Sequence, residues 1–105
     1  MKTEEKLAAR EVLDKAKLLQ IYTQLVRLRA FEERVKEVYM ATLMPGLAHV
    51  YIGQEAIAVG VCETLKDGDY VTSTHRGHGH FLAKGGDPKL MMAEIMGRES
   101  GYCRG

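Results

Sequence analysis

The chain has 105 residues, 46% of them hydrophobic and 28% charged, a composition that suits one small folded unit and excludes a disordered one. Its 15 basic and 14 acidic residues leave a formal net charge of +1, so no broad field draws in nucleic acid or an anionic membrane, and any anion site has to be local. Cys62 and Cys103 make neither a disulfide framework nor a Cys-x-x-Cys pair, which points to a reduced, cytoplasmic protein.

The opening residues, Met1 to Lys6, lack the apolar run that a signal peptide needs, and no stretch is long enough and apolar enough to span a bilayer. Thr3 is placed to cap a helix whose first turn carries Glu4 and Glu5. From Leu18 through Ile21, Tyr22, Leu25, Leu28, Phe31, Val35 and Val38, apolar residues recur at steps of three and four. That spacing predicts a helix with one apolar face, either unbroken or as two pieces joined near Lys15 to Lys17. Glu11 with Lys15 and Glu32 with Lys36 stand at i,i+4 and are expected to pair on its surface. Met44-Pro45-Gly46 ends this region.

Leu47 to Ile52 reads as extended or looped chain containing His49. A second helix is expected from Gly53, with Gln54 and Glu55 in its first turn. Its body, Ala56 to Cys62, is apolar on all sides, so the helix is expected to be buried all round. Asp67-Gly68 marks a turn. Tyr70-Val71-Thr72-Ser73 is the one strand candidate, and a lone strand needs partners from outside these residues. Phe81 to Lys84 is expected to add a helical turn. Asp87-Pro88 then opens a last helix, with Asp as N-cap and Pro at the first helical position, and Gly97 ends it.

The chemistry concentrates in Ser73-Thr74-His75-Arg76-Gly77-His78-Gly79-His80. Arg76 offers a rigid fork of donors suited to phosphate oxygens, and Gly77 and Gly79 would let backbone N–H groups approach a ligand closely. A loop leaving the C-terminal end of a strand is a common ligand site in α/β folds. Together these features favour a phosphorylated ligand. A rival reading takes His75, His78 and His80 as metal ligands, but no carboxylate or thiol neighbours them in sequence and Arg76 would put a cation among them. Read alone, His49 suits a hydrogen-bonded packing role better than a catalytic one, and Cys62 reads as a small buried hydrophobe.

Three motifs occur in order. They are His49-Val50-Tyr51-Ile52-Gly53-Gln54-Glu55-Ala56, Asp69-Tyr70-Val71-Thr72-Ser73-Thr74-His75-Arg76-Gly77-His78-Gly79-His80, and Met92-Ala93-Glu94-Ile95-Met96-Gly97-Arg98. With Arg29-Ala30-Phe31-Glu32-Glu33 they resemble the α subunit of E1-type thiamine-diphosphate-dependent dehydrogenases acting on acetoin and 2-oxo acids, over a span from about Leu18 to the last residue. The resemblance implies an α/β thiamine-diphosphate-binding fold. Of that fold this chain would supply a long helical segment over 1–42 and the start of the cofactor domain over 43–105, mostly helical with one short strand.

It further implies that Arg76 and His75 bind the cofactor diphosphate, and that His49 and His78 lie at the reacting carbon as catalytic residues. His75 replaces the Tyr frequent in pyruvate-type members. The stretch Ser73 to His80, with Gly101-Tyr102-Cys103, is closer to the acetoin type, which is preferred over the pyruvate type. The implied partners are an E1 β subunit in an α2β2 assembly, a lipoyl-bearing E2 component and a small acetoin or 2-oxo acid substrate. The cofactor is thiamine diphosphate with Mg²⁺, whose ligands belong to a motif not found in these 105 residues, so the isolated chain is expected to be inactive. The competing expectations are a non-catalytic helical interaction module and a small His-rich metal-binding protein.

Overall fold

The computed structural model describes residues 13–105; the expected cap at Thr3, the first-turn Glu4 and Glu5 and the Glu11–Lys15 pair fall outside them. Four helices follow in order: α1 (Lys15–Met40), α2 (Glu55–Cys62), α3 (His78–Ala83) and α4 (Pro88–Ile95). α1 runs unbroken for 26 residues from an N-cap at Asp14, whose side chain accepts the Lys17 N–H at 2.7 Å. It stops at Met40, before the Pro-Gly signal, and Thr42 turns into the left-handed region (φ 57°).

Three helices meet around one core. Leu28, Phe31 and Val35 of α1 pack with Ala58 and Val59 of α2, Leu82 of α3 and Tyr51 from the connecting segment. α4 lies on the flank of this core, with Met91, Met92 and Ile95 half-buried against it. Asp87 caps it as its sequence predicts, accepting from the Lys89 and Leu90 N–H groups with Pro88 at the first turn. Gly97 (φ 69°) follows its end. After α4 the chain folds back: Glu94 accepts the backbone N–H groups of Cys103 and Gly105 at 2.9 and 2.8 Å, and the Tyr102 hydroxyl accepts the Asp87 N–H at 2.8 Å.

Four expectations change. The first concerns the expected strand at Tyr70–Ser73. Among the described residues no strand forms, and Tyr70 is 97% exposed. An extended segment becomes a strand only by pairing its backbone groups with a neighbour, and no described segment lies alongside to pair with it.

The second concerns α2, which is covered on one face only. Ala58 and Val59 are buried, while Ile57 and Val61 stand more than half exposed. Third, the apolar stripe of α1 divides. Its second half enters the core, whereas Leu18 and Tyr22 project beyond it as exposed residues, and ion pairing from Lys17 to Glu63 at 2.6 Å anchors that end.

Finally, Glu32 makes no surface pair with Lys36. It is fully buried, while Lys36 is exposed. Leu28, Glu32 and Val35 share one face at i, i+4 and i+7, so helical geometry carries the carboxylate inward with its apolar neighbours.

Candidate functional site

The candidate residues come from two stretches of chain. One is the extended segment before α2, bearing His49 and Tyr51; the other runs from Ser73 into α3. Arg76 joins them, donating from Nη1 to the Val50 carbonyl at 2.8 Å. Beside this bond the His49 and His75 rings meet edge to face, with centroids 4.9 Å apart and planes at 87°. Both imidazoles are exposed and Arg76 is half-buried. His49 is therefore an exposed residue rather than the core packing residue its sequence context suggests.

The residues from His78 on are helical, which shortens the expected loop to Ser73–Gly77. Helix geometry then separates the three histidines. His78 turns to α1, with Nδ1 lying 3.0 Å from Oε1 and 3.3 Å from Oε2 of Glu32, and its ring meets Phe31 edge on. His80 turns the other way: Nδ1 lies 2.6 Å from Ser73 Oγ and Nε2 2.8 Å from the Tyr51 hydroxyl. His75 stays with His49. The three rings thus hold three different partners, and no group of three or more His, Cys, Asp or Glu side chains among the described residues is placed to hold a metal ion.

The bonds around His80 have one arrangement that uses every donor. Ser73 Oγ donates to the Thr74 carbonyl at 3.1 Å. It can then only accept from His80, so Nδ1 carries the proton and Nε2 accepts from the Tyr51 hydroxyl. Burial pushes the Tyr51 phenol up, which keeps that hydroxyl a donor. The reverse arrangement would leave a buried Tyr proton without an acceptor. His80 thereby ties the loop ahead of Arg76 to the core.

Gly79 has a different function from the one its sequence context suggests. A Cβ there would lie 2.1 Å from the Tyr51 ring, so its bareness admits a packed aromatic rather than a ligand. Gly77 leaves room for Ser73, whose Oγ would stand 3.1 Å from an added Cβ.

An ion pair ties α1 to the start of α2. Arg29 of α1 donates to Glu55 at the start of α2, and Glu55 also accepts the Gly53 N–H at 2.9 Å. The Arg29 hydrogen bond holds the Glu55 carboxyl below the usual carboxylate range, against the upward push of burial. The same bond raises Arg29. Burial pushes the Cys62 thiol up, so it is a poor nucleophile.

Concavity and chemistry do not coincide. A cavity of about 240 Å³ is lined by Ile57, Val61, Cys62, Val71 and His80, and a wider cleft of about 450 Å³ by Leu25, Val26, Arg29, Glu55 and Ala56. Neither includes His49, His75 or Arg76. Both are mainly apolar, while an anion is recognised by donors and cations, so the donor cluster is the candidate site.

The sequence alone gave no individual site role to Glu32, Tyr51 or Ser73. The signal for Glu32 was its place in the apolar stripe, one residue after Phe31. Tyr51 and Ser73 carry no local signal, because their partner His80 is set by the fold.

A family model described as dehydrogenase E1 component matches residues 23–105. The α subunit of acetoin:2,6-dichlorophenolindophenol oxidoreductase from Bacillus subtilis is 50% identical over 102 residues, covering 95% of this chain and 31% of the relative. The protein of the same name from Cupriavidus necator is 48% identical over 93 residues, covering 89% and 28%. The pyruvate dehydrogenase E1 component subunit alpha of Zymomonas mobilis is 47% identical over 93 residues, covering 88% and 26%. The chain thus spans about a third or less of the length of these relatives. No solved structure matches it. With four fifths of its residues inside the family model, the chain belongs to the dehydrogenase E1 component family.

Proposed function

We propose that this chain forms part of the cofactor and substrate site of an E1 α subunit that depends on thiamine diphosphate. It would act on acetoin or a 2-oxo acid such as pyruvate, with C–C cleavage and passage of the two-carbon unit to a lipoyl acceptor. In this reading the helices described here are one portion of an α/β cofactor domain, completed in an α2β2 assembly with a β subunit and served by an E2 partner. The observation that carries it is the meeting of His49 and His75 beside an Arg76 held by the Val50 carbonyl.

These residues fit a diphosphate. A guanidinium has five N–H donors, and one Arg76 nitrogen is engaged with Val50, so donors remain for phosphate oxygens. His75 adds an exposed imidazole at the same edge. The described residues do not fit Mg²⁺, for which they assemble no ligand set. When bound, thiamine diphosphate supplies the nucleophilic carbon and the electron sink for C–C cleavage. The contribution of the chain is to fix the diphosphate through Arg76 and His75, and to place His49 and His78 where they exchange protons with a substrate oxygen.

The acetoin type is preferred over the pyruvate type because His75 and the loop around it match it more closely. Its 50% and 48% identity to two acetoin oxidoreductase α subunits supports the same preference, although the 47% identity to a pyruvate dehydrogenase subunit keeps the two close. The test is calorimetric titration of the intact E1 assembly with thiamine diphosphate, followed by turnover with acetoin and with pyruvate. Arg76→Ala should abolish measurable cofactor binding. Unchanged binding in that variant would sink the assignment.

A further inference from the structure

Glu32 is fully buried in α1, and a carboxylate in such a place demands a partner. That partner is His78. Nδ1 stands 3.0 Å from Oε1 and 3.3 Å from Oε2, and only the second contact has hydrogen-bond geometry, so Oε1 is otherwise without a donor. Phe31, the residue before Glu32, meets the same imidazole edge to face with centroids 6.4 Å apart. Two successive residues of α1 therefore fix the orientation of one ring on α3.

The chemistry of the pair follows from its atoms. An ionised carboxylate only accepts hydrogen bonds, so the proton between the two groups belongs to Nδ1. In the neutral ring this leaves Nε2 bare and able to accept. If Nε2 takes a proton from a hydroxyl, the ring becomes a cation facing a buried anion. The pair is then neutral, and the same proton can return to a developing alkoxide. A buried carboxylate set behind an imidazole both selects the tautomer and stabilises the charged form.

We infer that Glu32 is a positioning residue, which fixes the Nδ1-protonated state of His78 and so makes Nε2 the proton-exchanging atom of the ring. This rests on the proposed reading of His78 as a residue of the reacting site, and it goes further by naming the group behind that residue. Glu32 itself is shielded by the core.

The test uses the intact E1 assembly with ¹⁵N-labelled histidine, comparing the unaltered enzyme with Glu32→Met, which keeps an unbranched side chain but replaces the carboxylate with a thioether, an uncharged and only weak acceptor. The expected result is an Nδ1-protonated His78 in the unaltered enzyme and the free-imidazole pattern, protonated at Nε2, in the variant. The variant should also show kcat lowered roughly 10²-fold with KM held. A bare Nδ1 in the unaltered enzyme would overturn the inference even if the variant failed to fold, and so would a tautomer that ignores the substitution. A moved tautomer with unchanged turnover would instead sink the reading of His78 as a residue of the reacting site.

Discussion

Arg76 reaches back across the site to the Val50 carbonyl, 2.8 Å from Nη1, and so fixes the segment that bears His49 against the loop that bears His75. Replacing Arg76 by Lys keeps a cation but loses the planar fork, which cannot then serve the carbonyl and a phosphate together. One charge-assisted hydrogen bond contributes about 1.5–3 kcal/mol, so Arg76→Lys should weaken diphosphate binding roughly 10–100-fold. Calorimetry on the intact assembly reads this directly, and an affinity within twofold of the unaltered enzyme would count against the bidentate role.

His49 and His75 meet edge to face on an exposed surface. His49→Ala removes the ring proposed to exchange protons, without opening the core. It should lower kcat roughly 10²-fold while the midpoint of urea unfolding stays in place. A large fall in stability with unchanged turnover would make His49 a packing residue after all.

How much of this could be read from the chain alone depended on how local the governing physics is. The Asp14 and Asp87 caps, the Gly97 stop and the helix through Phe31 follow from contacts a few residues apart, and of these the Asp87 cap, the Gly97 stop and the run through Phe31 were all readable. That Tyr70–Ser73 forms no strand among the described residues was not, because pairing depends on a neighbour that no described residue supplies. Within the site, Arg76 and the histidines were visible as residue types, but their partners were not. Whether an imidazole faces Glu32, Tyr51 or another imidazole is decided by how α3 lies on α1 and on the 47–52 segment. Glu32 is the instructive case: its charge suggested the surface, and its position in the periodic stripe placed it inside.

The His80 linkage gives a stability prediction. Tyr51→Phe deletes the hydroxyl that donates to Nε2 and leaves the ring filling its place in the core. A hydrogen bond of this kind contributes about 1 kcal/mol net. Ser73→Ala should cost less, since that side is exposed to water. Urea unfolding of the two variants should therefore rank Tyr51→Phe as the less stable, and the reverse order would argue against the bonding scheme.

The Arg29–Glu55 pair predicts a pH dependence. Glu55 is held below the ordinary carboxylate range chiefly by the Arg29 hydrogen bond, whereas an unfolded Glu titrates near ~4.3. Between those two values the unfolded chain binds more protons than the folded one, so stability falls as pH drops through the window. The advantage of the unaltered chain over Arg29→Met should be full above the ordinary range and should fade as pH falls through the lowered folded value. Urea unfolding at a series of pH values checks this; a difference that ignores pH would mean that the pair contributes nothing through charge.

Gly79 lies against the Tyr51 ring, with an added Cβ only 2.1 Å from it. Gly79→Ala should destabilise the fold by about 1–3 kcal/mol through overpacking, and Tyr51→Leu in the same chain should recover part of that loss, a coupling a double-mutant cycle would measure. Seen as a matter of descent rather than of packing, positions 51 and 79 are expected to change together. Neither can drift freely in size without a matching step at the other, and each such step also moves the hydroxyl on which His80 relies. A lineage altering this pair would therefore have to renegotiate the anchoring of the Ser73–Gly77 loop at the same time.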